Sequence, residues 1–87
     1  MTETQQKLQQ IMDVLDQLAE DTSVPRNIRR GATDAKTVLQ RPEEALDVRA
    51  SSAINILDEL ANDPNIPLHG RTLVWNIISQ LESVQRT

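Results

Sequence analysis

A chain of 87 residues and 9.8 kDa is one domain's worth of polypeptide, and at that size folding buries only about 60–65% of the unfolded surface, so the core has to be simple. Apolar residues at 38% and charged residues at 25% fit a globular protein and exclude a disordered one, and the absence of cysteine excludes disulfides, thiolate metal sites and cysteine nucleophiles. The net charge is −4, no apolar run approaches a membrane span and no signal-peptide pattern opens the chain, so the expected setting is the cytoplasm, with no membrane partner.

The first helix is predicted over residues 4–20. Leu8, Ile11, Met12, Leu15, Leu18 and Ala19 keep the 3.6-residue spacing of one face, while Gln6, Gln9, Asp13 and Gln17 fill the back. Asp21-Thr22-Ser23 follows, a run whose side chains bond nearby backbone and compete with helix. Pro25 suits the first position of the second helix, where its missing N–H has no intrahelical partner anyway. Val24 and Ile28 are spaced as a hydrophobic staple. This helix is expected to run from about 25 to 40 on a stripe of Ile28, Ala32, Ala35, Val38 and Leu39, because Pro42 disfavours helix at Arg41.

Arg41-Pro42-Glu43-Glu44 reads as the start of the third helix, with two acids at the positive end of its dipole. Asp47 offers a second start, so the helix begins at 43 or 47, with a break near Leu46-Asp47 left open, and runs to 62 on Ala50, Ala53, Ile54, Leu57, Leu60 and Ala61. Asp63-Pro64-Asn65 is the next turn. Pro67 opens the fourth helix, whose stripe is Val74, Ile77, Ile78, Leu81 and Val84. Gly70 stands where the staple partner of Ile66 would be.

The chain matches itself at an offset of 42, as Leu15 to Leu57. Eight positions are identical without a gap: Leu15, Asp16, Leu18, Ala19, Asp21, Pro25, Arg29 and Leu39 with their partners. That period suits a helical repeat, here residues 8–40 and 50–82. The expected fold is all-α: one domain over 1–87, a four-helix bundle made of two related antiparallel helical hairpins. Short links force antiparallel neighbours. Two hairpins stacked as an open solenoid are the other arrangement, disfavoured because two repeats bury too little.

Asp21-Thr22-Ser23-Val24-Pro25-Arg26-Asn27-Ile28-Arg29-Arg30 and Asp63-Pro64-Asn65-Ile66-Pro67-Leu68-His69-Gly70-Arg71-Thr72, with Ile56-Leu57-Asp58-Glu59 and Trp75-Asn76-Ile77-Ile78, resemble the hallmarks of a small archaeal group, uncharacterised protein family 0147. The likeness spans nearly the whole chain. It implies an archaeal source and a compact four-helix fold of bromodomain-like class, and it implies no activity. A looser likeness to HEAT-type repeats, in the turn aspartates and the arginines early in the following helices, is one of architecture alone.

Three features are candidates for function. Asp21 with Arg29, and Asp63 with Arg71, recur; each Asp is expected to accept backbone N–H bonds in its turn and each Arg to brace its hairpin ionically. Arg26, Arg29, Arg30, Lys36 and Arg41 put +4 on residues 26–41, against −8 on the remainder. The expectation is a solvated face pairing with the acidic first or third helix; docking of a protein is the next reading, and phosphate or nucleic acid the last, opposed by the acidic whole and the lack of Phe and Tyr for stacking. Trp75 lies in line with Leu68, Arg71, Ile78 and Glu82; it is expected as a core block or seam, with a partner surface as the alternative.

Catalysis finds no support in the motifs. There is no Glu-x-x-His pair and no Gly-rich phosphate loop, and His69, the single histidine, sits near no evident nucleophile or base in sequence. No cofactor, metal or catalytic residue is therefore expected. The reading is a non-catalytic structural or adaptor protein. Its partner is an unknown protein or a second copy, through Arg26, Arg29, Arg30, Lys36, Leu68, Arg71 and Trp75; a nucleic-acid accessory role on the basic face is the runner-up.

Overall fold

The computed structural model describes residues 2–85 and holds four helices, α1 (Glu3–Glu20), α2 (Arg26–Leu39), α3 (Leu46–Ala61) and α4 (Leu68–Gln85). Among the described residues there is no strand.

The helix ends follow local chemistry. Thr2 caps α1 reciprocally with Gln5: the Gln5 N–H donates to Thr2 Oγ1 at 3.1 Å and the Thr2 N–H to Gln5 Oε1 at 2.9 Å. Pro25 sits one position earlier than expected. It is the cap residue, extended at ψ 155°, and its carbonyl accepts from Ile28 and Arg29. Pro67 does the same, accepting from Arg71 at 3.0 Å. Neither position asks for an N–H, so proline is as cheap there as at the first helical residue.

Pro42, Glu43 and Glu44 do not start a helix. They form a turn shaped like 22–24, and Glu44 turns back to Arg41 at 3.1 Å. Ala45 takes the cap position and α3 runs unbroken from Leu46. Its first-turn acid is Asp47, whose carboxylate accepts the Val48 N–H.

Each helix packs on the next one in the chain, and α4 packs on α1, which closes the ring. The open stacked array is thereby excluded in favour of the four-helix bundle. The Cα radius of gyration, 12.2 Å, matches the value of about 12 Å for a compact chain of this length. The interior is filled by Ile11, Leu15 and Leu18 from α1, Ile28, Ala32 and Ala35 from α2, Ala50, Ala53 and Leu57 from α3, and Val74, Ile77 and Leu81 from α4.

Alanines on α2 and α3 keep that interface thin, and Gly31 thins it further. A Cβ there would lie 2.5 Å from Leu60 Cδ2, so Leu60 occupies the space a side chain would need. Val24 and Ile66 are both buried and converge on Gly70, where a Cβ would stand 3.3 Å from each. The second staple is therefore replaced by a three-way contact at the end of the bundle that carries the two Asp turns.

Candidate functional site

The turn end of the bundle carries two polar clusters. The Asp21 carboxylate accepts from the Ser23 N–H at 2.9 Å and from the Ser23 hydroxyl, and it meets His69 Nε2 at 3.0 Å. These three partners, the Ser23 hydroxyl first, hold its carboxyl below the ordinary aspartate value. Asp63 accepts from the Asn65 N–H at 2.8 Å and from Asn27 Nδ2 at 2.6 Å. Each turn aspartate thus ties its own turn and reaches a helix of the other hairpin. Asn27 and His69 are themselves matched at the offset of 42.

Ser23 Oγ also lies 3.0 Å from His69 Nε2, so the structure gives the histidine neighbours that sequence reading did not. The arrangement cannot relay a proton as a hydrolytic triad does. That chemistry needs one ring nitrogen on the hydroxyl and the other on the carboxylate; here the same nitrogen faces both, and the hydroxyl is spent on Asp21. The cluster is a clasp between hairpins.

Each turn aspartate accepts a backbone N–H of its own turn, as expected, but among the described residues neither Arg29 nor Arg71 braces its hairpin through an ion pair. The turn amides and the opposite hairpin already occupy the carboxylates. Arg71 instead donates from Nε to the Ala61 carbonyl at 3.1 Å and leans on the Asp63 carbonyl at 3.5 Å. Arg49 donates from Nη1 to the Leu39 carbonyl at 2.8 Å. Each of these arginines reaches back ten residues to the end of the preceding helix, where unpaired carbonyls and the negative end of the dipole favour a cation. Arg29, half-buried, has its Nε shielded and without a protein acceptor. Arg49 was missed because the third link offers Ala45 in place of the proline that flags the other two helix starts.

The basic face of α2 divides. Lys36 Nζ bonds Asp16 on α1 at 2.6 Å, which is the pairing with the acidic first helix that composition leads one to expect. Arg41 pairs with Glu44. Arg26 and Arg30 are exposed and line a cleft of about 620 Å³ between α2 and α3. Its floor is Gly31, Ile56 and Leu60, and its rim also carries Asp34, Glu59 and Asp63. Three carboxylates against two guanidinium groups do not make a polyanion track. A shallower groove of about 290 Å³ lies on the α1 side of the same arginines, beside Ala19, Arg29 and Thr33.

Trp75 does not close the core. It is 56% exposed, and Leu68, one heptad before it, is 73% exposed. Val74 and Ile77 fill the interior at that level, and a residue next to Val74 is turned about 100° from it around the helix. Arg71, between Leu68 and Trp75 in sequence, turns to the Ala61 and Asp63 carbonyls. Val48 on α3, 48% exposed, is the other large apolar side chain in water among the described residues.

Among the described residues no three His, Asp or Glu side chains gather as a metal site would require, and no helix is long and apolar enough to cross a membrane.

Comparison with known proteins places this arrangement. The model of a family described as "Uncharacterised protein family (UPF0147)" matches residues 1–84. A UPF0147 protein of Methanothermobacter thermautotrophicus is 55% identical over 75 residues, covering 86% of this chain and 74% of the relative. A UPF0147 protein of Thermoplasma volcanium is 45% identical over 100% of this chain and 98% of its own. The crystal structure of a UPF0147 protein from Thermoplasma acidophilum superposes with a TM-score of 0.89 at 45% identity, covering 92% of this chain and 94% of that one. All three sources are archaeal, as the resemblance of the two turn motifs implies.

Proposed function

The chain belongs to the UPF0147 family, whose description assigns no activity, and on that premise we propose that it is a non-catalytic cytoplasmic protein, a structural or adaptor module working through protein–protein contacts on the outer face of α4. One observation carries this reading: Leu68 and Trp75 stand in water on the same side of a helix whose opposite side is already buried. A helix apolar on both sides is ordinarily covered on both, and tryptophan is the residue most enriched where binding energy concentrates.

The scaffold beneath that face we read as a duplicated hairpin, 8–40 and 50–82. The matched pairs at an offset of 42 support it, as do the reciprocal bonds of Asp21 to His69 and Asp63 to Asn27. Under the same offset Leu68 answers to Arg26 and Trp75 to Thr33. The two halves therefore differ where they face solvent, one basic and one apolar.

The test is capture of partners from native lysate on wild type and on a Leu68→Ser/Trp75→Ser variant, with and without nuclease. The expected result is a protein set that survives nuclease and moderate salt and is lost with the double substitution. Partners that vanish with nuclease, or with Arg26→Glu/Arg30→Glu, and ignore α4 would favour the nucleic-acid reading. That reading draws on the one observation that Arg26 and Arg30 make no ion pair among the described residues.

A further inference from the structure

We propose that Arg26, Arg29 and Arg30 form an anion site for a single phosphate group, free or borne by a small phosphomonoester, in the groove where the start of α2 meets the end of α1. The site stands apart from the outer face of α4.

The other cations of the described residues are spent within the chain. Lys7 reaches Ser83 and Glu3, Lys36 reaches Asp16, and Arg41 reaches Glu44. Arg49 and Arg71 donate to the Leu39 and Ala61 carbonyls. Arg26, Arg29 and Arg30 are the lysines and arginines left over: among the described residues no side-chain hydrogen bond or ion pair engages any of them. All three line one groove of about 290 Å³, with Ala19 and Thr33. No carboxylate lines it, in a chain that carries 13 acids. Asp34, Glu59 and Asp63 lie instead on the rim of the α3-side cleft, and none of them is within ion-pair distance of Arg26 or Arg30.

The internal match makes Arg29 the telling residue. At the offset of 42 its counterpart is Arg71, and the counterpart of Ala19 is Ala61. Arg71 Nε bonds the Ala61 carbonyl at 3.1 Å, whereas Arg29 Nε is shielded and meets no acceptor. Arg49 also has a shielded Nε, but it spends Nη1 on Leu39. A shielded donor left unmet costs free energy that an acceptor in the groove would recover.

The grouping also runs against helix chemistry. Arg26 is the first residue of α2, and Arg29 and Arg30 follow at i+3 and i+4, spacings at which like charges repel. They gather near the positive end of the dipole, where α1 and α3 carry Glu3 and Asp47 and α2 carries no acid. A bound dianion relieves both penalties. Guanidinium groups suit phosphate because each can offer paired N–H donors to two oxygens. A nucleic-acid strand is not what the surroundings fit. Lys36, the next cation along α2, is held by Asp16, and Glu20 stands exposed beside Ala19. Trp75, the one aromatic side chain, belongs to α4 and does not line the groove, so no base stacks there.

The test is a nuclear magnetic resonance titration of the isotope-labelled full chain with inorganic phosphate and, separately, glycerol phosphate. Ionic strength is held constant by exchanging chloride for phosphate. The range is about 0.01 to about 20 mM, since a ligand of so few atoms binds no more tightly than about micromolar. The readouts are the arginine Nε–H signals and the backbone amides. We expect saturable shifts at Arg26, Arg29 and Arg30, with the Arg49 and Arg71 signals unmoved. Arg26→Gln/Arg30→Gln, confined to exposed positions and so expected to fold, should weaken binding about tenfold or more for each guanidinium removed. Arg41→Gln, outside the groove, should leave it unchanged. Glycerol phosphate binding at least as tightly as phosphate assigns a monoester as the ligand; phosphate binding more tightly assigns the free ion; both support the site. Shifts that rise linearly to the top of the range, that leave Arg29 unmoved or that persist in Arg26→Gln/Arg30→Gln overturn it. A single-stranded oligonucleotide that binds through these arginines with affinity rising with its length also overturns it, in favour of a nucleic-acid track.

Discussion

Asp21 gathers three donors on one carboxylate, from its own turn and from the opposite hairpin. Its carboxyl is held below the ordinary aspartate value of about 3.9. The folded state therefore binds this proton more weakly than the unfolded chain does. The stabilisation is fully present above the unfolded value and is lost as pH falls through the lower folded one. Asp21→Asn should thus melt below wild type at neutral pH, and the gap should close as the buffer is taken under about pH 3.9; thermal melts followed by circular dichroism across that range decide it. Gly31 gives a second residue-scale expectation. Gly31→Ala forces Leu60 to move and should cost about 1–3 kcal/mol of overpacking, against up to about 1 kcal/mol gained in helix propensity. In a Leu60→Ala background the clash is gone, so the same Gly31→Ala should stabilise. A denaturant double-mutant cycle reads the sign change.

Arginine capping works between elements. Arg49 and Arg71 sit at the fourth position after a cap residue and close the C-terminal ends of α2 and α3. Replacing either by alanine removes a charge-assisted bond and leaves a carbonyl unmet, a loss of about 1.5–3 kcal/mol, whereas Arg26→Ala and Arg30→Ala, on the surface, should stay within about 0.5 kcal/mol. Urea titrations of the four variants check the contrast. The existence and inward faces of α1, α2 and α3 were legible because each has one apolar side and a link marked by proline or aspartate. The start of α3 was not, since Pro42 followed by two acids fits a turn as well as a first helical turn, and only Glu44 closing on Arg41 decides between them. The clasp of Asp21 on His69 spans 48 positions, and local patterning says nothing about contacts that depend on how two hairpins close.

At the scale of the molecule, the bundle is built so that its interior is finished without Trp75. Periodicity alone could not tell this on α4, where apolar residues flank the helix on both sides: Leu68, Leu73, Trp75 and Ile78 broaden the stripe until inside and outside look alike. Only the volume already filled by Ile11, Leu15, Leu57 and Leu81 separates them. The pairing of Lys36 with α1 was legible from charge balance, while the mixed rim of the cleft under Arg26 and Arg30 was not, because it depends on Glu59 of the neighbouring helix and Asp63 of the turn that follows it. The claim beneath all of this is that α4 owns two apolar faces, one spent on folding and one kept for contact. The most direct measurement is the unfolding free energy of dilute Trp75→Ser set beside Leu57→Ala. The account predicts that Leu57→Ala loses about 2–5 kcal/mol, as a filled core position does, and that Trp75→Ser loses less than about 1 kcal/mol, as a surface one does. A Trp75→Ser loss on the scale of the core variant would contradict it.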